Sequence, residues 1–241
     1  MVVPYSSSVS FPSPSIDPKE PLLYSLPMQS FDHETFISPF TWRYGSTQMR
    51  QIFSEVHKRK ILRRIWIALA RAQMSAGLVT KEQLAELEAT KDAIDIDRSS
   101  EIEAEIHHDL MAEIHSWAEQ CPNGGKIIHL GATSMDVLDN MDALRLQHAL
   151  DVTIEKTKEL LILFVEKMEK YADVATMAFT HIQPAEPSTV GYRFAQCAQD
   201  LKEDLEELIH VRSTIRGKGM KGAVGTAASY GELLQGTALT A

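Results

Sequence analysis

Between Ser134 and Tyr171 the sequence contains neither glycine nor proline, and its apolar residues fall on one helical stripe. Leu150, Ile154, Thr157, Leu161, Phe164 and Met168 step alternately by four and three, the spacing of helices that pack side by side. A helix of about 37 residues is about 55 Å long, and helices of that length in globular proteins belong to extended bundles. A partner follows. From Ser188 to Arg216 the residues Val190, Phe194, Cys197, Leu201, Leu208, Val211 and Ile215 lie on one stripe. The two stretches are separated by "THIQPAEP", where the helical pattern stops.

Upstream the pattern is helical as well. "TQMRQIFSEVHKRKILRRIWIALARAQMSAG" carries Ile52, Val56, Leu62, Ile65, Leu69 and Met74 at near-helical spacing and ends at Gly77. Thr80 and Gln83 have the spacing of a capping box. "SSEIEAEIHHDLMAEIHSWAEQ" reads as a third helix, stopped by "CPNGG". With no internal repeat and no convincing strand, the expected fold class is all-α: a small N-terminal helical domain over residues 36–130, then a long-helix bundle domain over 131–241.

Residues 1–35 differ from the rest. They are rich in serine and proline, with no basic residue before Lys19. This excludes a secretory signal and a transit peptide, so the segment reads as a disordered leader. Met28, opening "MQSFDHETFISPF", looks like a natural start. A net charge of -9 argues against nucleic acid as a partner, but small anions need only a few local cations. No apolar run is long enough for a bilayer. The two cysteines, Cys121 and Cys197, lack CxxC spacing and read as free thiols of a reducing compartment; Cys197, on the apolar stripe, is expected in the core.

Four stretches carry chemistry, all at helix ends or breaks, where backbone N–H groups and the positive dipole end attract anions. In "HLGATSMDVLDN", a single cap accounts for one hydroxyl but not for Thr133, Ser134 and His129 together. Asp136, Asp139 and Asn140 follow directly. The functional reading is a carboxylate pocket of two hydroxyls and free backbone N–H groups; the bland one is an ordinary cap. In "THIQPAEPSTVGYRF", His181 precedes two prolines that stiffen the chain. It is either a surface histidine or a general acid or base. In "EIHHDL", His107, His108 and Asp109 lie on the third helix, where at most one histidine faces a given site and Asp109 can fix the His108 tautomer; the alternative is a solvated face. In "RYGS", Arg43 offers a planar fork for phosphate or carboxylate.

Two patterns are rejected. "GKGMKG" matches GxGxxG, but a charged helix rather than a strand precedes it. Glu105-x-x-His108 and Glu207-x-x-His210 resemble di-metal bundle pairs, yet roughly one such pair is expected by chance. No metal site is expected.

"SPFTWRYGS", "HD" on an upstream helix, "HLGATSMDVLDN" and "THIQPAEPSTVGYRF", in that order, resemble the adenylosuccinate lyase family of the fumarase/aspartase superfamily. The terminal "KGAVGT" also looks like that family, so the resemblance runs from Ser38 to the end. It implies an all-α homotetramer whose active sites each draw on three subunits. It further implies a cytoplasmic enzyme of purine biosynthesis that needs no metal or organic cofactor. The implied reaction is β-elimination of fumarate from adenylosuccinate and from the succinylated carboxamide intermediate, so the partner is a small anionic nucleotide. Thr133 and Ser134 would hold a succinyl carboxylate and His181 would protonate the departing nitrogen. His108 and Asp109 would lie beside the substrate, and Arg43 and Tyr44 at its phosphate end.

The sequence departs from the family twice. His107 stands where arginine is common, weakening an anion contact. The "SSxMPxKxN" signature with its serine base is not in these residues, so the chain is expected to be roughly the N-terminal half of an enzyme and inactive alone. Carboxymuconate cycloisomerase typically lacks the histidine that His181 supplies, and argininosuccinate lyase has an "SRND"-type stretch where this chain has "TSMD". The alternative from another class is a non-catalytic helical fragment that only assembles with partners.

Overall fold

The computed structural model describes residues 38–234; the expected leader, residues 1–35, lies outside them. Two compact units are present, one ending at Tyr44 and the other starting at Gly45. In the first, Phe40–Tyr44 forms a single π-helical turn. Within it the Arg43 guanidinium lies 5.6 Å from the centre of the Tyr44 ring.

The second unit is helical apart from one hairpin. The stretch read as one helix from Thr47 is two, α1 (Thr47–Ile52) and α2 (Glu55–Ser75). The break is a serine effect: the Ser54 hydroxyl donates to the Gln51 carbonyl at 2.8 Å and accepts the His57 N–H at 3.2 Å. It thereby closes one helix and caps the next. Val56 falls outside the buried stripe and is exposed. The α2 helix ends at Ala76 and Gly77, the latter at φ 79. α3 (Lys81–Thr90) begins with the expected capping box of Thr80 and Gln83. α4 (Ile96–Ile106) and α5 (Asp109–Gln120) replace the single third helix. A 3-10 turn, Gly124–Ile127, follows.

These elements enclose a core around Trp66, Trp117, Leu62, Leu87 and Leu110, completed by Val137 and Met141 from the next helix. Inside it, Glu113 accepts from Arg63 Nε at 2.9 Å and from Arg59 Nε at 3.0 Å. Arg63 also reaches the Thr90 and Ala93 carbonyls at 2.9 and 3.1 Å. Burial pushes the Arg63 pKa down, opposed by Glu113. Pairing and hydrogen bonding of this kind offset the cost of burying the charge.

The unbroken stretch is the long helix expected, α6 (Ser134–Lys170), with Thr133 at its N-cap. α7 (Val190–Thr214) runs antiparallel to it. Gly191 N–H donates to the Tyr171 carbonyl at 2.8 Å, and the Phe164 and Phe194 rings meet edge-on. At the other end Arg212 pairs with Asp151 at 2.7 Å. A Cβ on Gly191 would lie 2.7 Å from the Met168 carbonyl oxygen, so the close approach requires glycine. Cys197 is exposed, not core. The stripe facing α6 is Phe194, Ala198, Leu201, Leu205 and Leu208, which puts Cys197 and Val211 one position off the contact line.

Between α6 and α7 the structure forms strands where none was expected. β1 (Ala175–Thr180) pairs antiparallel with β2 (Gln183–Thr189), with a register irregularity between Met177 and Phe179. Pro184 and Pro187 disguise β2, because proline cannot donate to a ladder. A two-stranded hairpin has only edge strands and tolerates it. Last comes α8 (Ala228–Leu234). Among the described residues no helix is long and apolar enough to cross a membrane.

Candidate active site

The first turn of α6 is built around a carboxylate rather than a hydroxyl. Asp136 is fully buried. Its Oδ1 accepts the Lys221 and Gly222 N–H groups at 3.0 and 3.1 Å. Its Oδ2 accepts Gly222 N–H at 3.0 Å, the Tyr230 hydroxyl at 3.1 Å and Thr133 N–H at 3.3 Å. Burial alone would raise its pKa; the donors outweigh burial and hold the carboxyl below its usual value. Burial and then Asp136 push the Tyr230 phenol up. Of the N–H groups expected to be free at this helix end beside the two hydroxyls, that of Thr133 is already taken. An internal anion already takes the Thr133 N–H, because position N3 lets Asp136 reach back.

The other polar residues of "MDVLDN" serve the same purpose. Asn140 Oδ1 accepts Gly219 N–H at 3.2 Å, and Asp139 lies 3.4 Å from Lys218. The segment "GKGMKG", which looked like a phosphate loop, is strapped to α6 with Gly219 and Gly222 in the left-handed region. Sequence reasoning missed Tyr230 and Gly222 and named Asp136, Asp139 and Asn140 without giving them a role; the usable signal was those three polar residues beyond the two hydroxyls. Thr133 and Ser134 themselves are half-buried, and among the described residues the Ser134 hydroxyl has no hydrogen-bond partner.

His129 adjoins this turn at φ 68. Trp66 Nε1–H donates to its Nδ1 at 3.1 Å, which places the proton of the neutral ring on Nε2. Burial lowers its pKa, Asp136 opposes that, and the His108 charge lowers it further. The His108 junction therefore lies within electrostatic reach of the α6 start.

That junction is a break and not the middle of a helix. His107 closes α4 at φ 55, and His108 opens α5, its Nδ1 accepting the Met111 N–H at 3.3 Å. No glycine or proline announces the break, because the imidazole itself is the cap. His107, His108 and Asp109 are all exposed. Asp109 lies 3.8 Å from the same Nδ1, so the backbone N–H, not Asp109, orients the ring and leaves Nε2–H outward.

His181 is elsewhere. With Ile182 it forms the two-residue turn of the hairpin, both at positive φ, 50 and 63. This type I′ geometry normally selects Asn and Gly. A histidine and a β-branched residue there carry strain. Ile182 is 93% exposed, and among the described residues the His181 side chain has no hydrogen-bond or ion-pair partner. Arg43 and Tyr44 belong to the other unit and are exposed. Among the described residues no cluster of three or more His, Cys, Asp or Glu is gathered for a metal.

A family model described as Lyase matches residues 43–233. Over 207 residues the chain is 38% identical to the adenylosuccinate lyase of Schistosoma mansoni, covering 85% of this chain and 43% of that one. Over 199 residues it is 38% identical to the adenylosuccinate lyase of Pyrococcus horikoshii, covering 81% and 44%. Its fold matches the solved structure of the 3-carboxy-cis,cis-muconate lactonizing enzyme from Pseudomonas putida with a TM-score of 0.73 at 27% identity, over 82% of this chain and 46% of that chain. The chain thus spans less than half the length of the curated relatives it matches.

Proposed function

The chain belongs to the lyase family whose model spans residues 43–233, and from that premise we propose that it supplies part of the active site of an adenylosuccinate lyase. The substrates are adenylosuccinate and the succinylated carboxamide intermediate of purine biosynthesis; the setting is the cytoplasm. A base removes a proton from the carbon next to the one bearing nitrogen. The electron pair forms the fumarate double bond as the C–N bond breaks, and the departing nitrogen takes a proton. His181 delivers that proton. Thr133 and Ser134 hold a carboxylate of the succinyl group, and His108, beside Asp109 and His107, offers Nε2–H to the substrate. Arg43 and Tyr44 serve the phosphate end.

The observation that carries this reading is the 38% identity to adenylosuccinate lyases. The likeness to the muconate lactonizing enzyme, at 27% identity, is weaker, and an exposed histidine at a strained turn favours a proton-transfer role at that tip.

Distance decides how the site is assembled. Ser134 and Lys170 stand at opposite ends of a helix of about 54 Å. The Val174 N–H bonds back to the Tyr171 carbonyl, and the hairpin from there to His181 reaches at most about 25 Å. His181 therefore stays at least about 20 Å from Ser134 of its own chain. Acting on one succinyl group, the two must come from different copies, in line with a homotetramer. The exposed Ile162, Leu163, Val165, Phe179 and Tyr192 around the helix pair and hairpin suit burial between such copies. The test is adenylosuccinate cleavage followed by absorbance in the assembled protein, with carboxymuconate as the competing substrate. Turnover of the second and not the first would reverse the assignment.

A further inference from the structure

Asp136 is the one fully buried carboxylate near the candidate pocket that the proposed chemistry does not use. Among the described residues it has no cationic partner: every bond it accepts there comes from a neutral donor, the Lys221, Gly222 and Thr133 N–H groups and the Tyr230 hydroxyl. The charge is kept by these donors alone, so the carboxylate and the segments that supply them hold one another in place. Its donors come from both sides of one loop. Lys221 and Gly222 lie before it, and Tyr230 lies after it.

The loop is pinned a second time beyond Asp136. The Ser229 hydroxyl donates to the Gly131 carbonyl at 2.8 Å, and a Cβ on Gly131 would meet Leu233 at 2.5 Å and Tyr230 at 3.3 Å. The start of the loop is thus fixed to Asp136 and its end to both Asp136 and Gly131, the two residues that flank Ala132, Thr133 and Ser134 in the chain. These loop residues are mostly exposed, Val224 by 82%, and Gly225 sits at φ 80. The loop is also closed on itself, the Ala227 N–H donating to the Lys221 carbonyl at 2.7 Å, so it is carried as a unit by its anchors on Asp136 and Gly131.

We infer that Asp136 is a positioning residue for the carboxylate pocket: it sets the 223–228 loop against Thr133 and Ser134, and through them the binding of the anionic substrate. The inference rests on the lyase reading of that pocket. A carboxylate held equally in ground and transition states contributes uniform binding, so loosening the loop shows in KM more than in kcat.

The test compares the assembled wild-type protein with Asp136→Asn and with the milder Tyr230→Phe, which keeps the ring packed against Gly131. Asp136→Asn should raise KM for adenylosuccinate by about tenfold or more, with a smaller fall in kcat; Tyr230→Phe should raise it about two- to threefold. Hydrogen exchange at the Lys221 and Gly222 amides should quicken in Asp136→Asn. Faster exchange with unchanged KM in both variants makes Asp136 a structural anchor only and overturns the inference, as does unchanged exchange. If Asp136→Asn does not fold, the Tyr230→Phe KM decides alone. A wild-type protein that does not cleave adenylosuccinate fails in a different arm: it overturns the lyase reading first, and the inference with it.

Discussion

The start of α6 and the tip of the β1–β2 hairpin are held in opposite ways. At the helix start a buried carboxylate takes five hydrogen bonds, and Trp66 orients His129 beside it. At the hairpin tip His181 and Ile182 adopt left-handed backbone, and among the described residues no side-chain hydrogen bond holds them. The first region is held by hydrogen bonds from its own chain; the second, on the reading proposed above, has its strain and exposure offset by another copy. A pocket for a fixed anion benefits from such preorganisation, while a group delivered from a second copy stays unpaired until assembly.

The contrast breaks most readily at His181. As the proton donor, His181→Asn should lower kcat by roughly 10²–10⁴-fold, and because the side chain has no partner among the described residues and asparagine suits the turn the thermal midpoint should not fall. Near-normal kcat, or a large loss of stability, would erase the difference between the regions. Thr133→Ala should instead lower kcat/KM chiefly through a raised KM, since its anion is present in ground and transition states.

Acid sharpens the other half. The Asp136 carboxyl titrates below its usual value in the folded chain. Its contribution to stability is therefore complete above the unfolded carboxyl range, near pH 4, and is lost as pH falls through the lower folded value. Exchange protection at Lys221 and Gly222 should fall below about pH 4 in wild type and be nearly independent of pH in Asp136→Asn. The same pH dependence of protection in wild type and in Asp136→Asn would show that the clamp does not depend on the charge.

The smallest effect tests the strain. Ile182→Gly removes a β-branched residue from φ 63 and should stabilise the isolated chain by up to about 1 kcal/mol in chemical denaturation. Destabilisation would mean that Ile182 already packs within its own chain.

The same division governs what the sequence discloses. Elements fixed by local pattern were legible: the steps of Leu150 to Met168, the Thr80–Gln83 capping box and the turn at Gly77. Elements fixed by a neighbour were not. Cys197 and Ala198 are both apolar, and only the register against α6 makes Ala198 the buried one. The break at His107 and His108 depends on an imidazole cap that propensity does not disclose. Two prolines hid β2. The residues of "HLGATSMDVLDN" could be singled out, but the partner of Asp136 lies some 85 residues downstream, as the sequence separation of its bond to Lys221 shows. No local period points there.

The central claim is that the two regions meet only between copies, and mixing variants tests it directly. His181→Asn and a Thr133→Ala/Ser134→Ala double variant are each to be assembled alone, then dissociated and reassembled together. Adenylosuccinate cleavage is followed by absorbance in each sample. The account expects both parents to be nearly inactive and the mixture to recover a substantial fraction of wild-type turnover, because some sites then combine an intact His181 with an intact hydroxyl pair. A reassembled mixture, verified to contain both chains, that is no more active than its parents would contradict it and place both groups in one chain's own site.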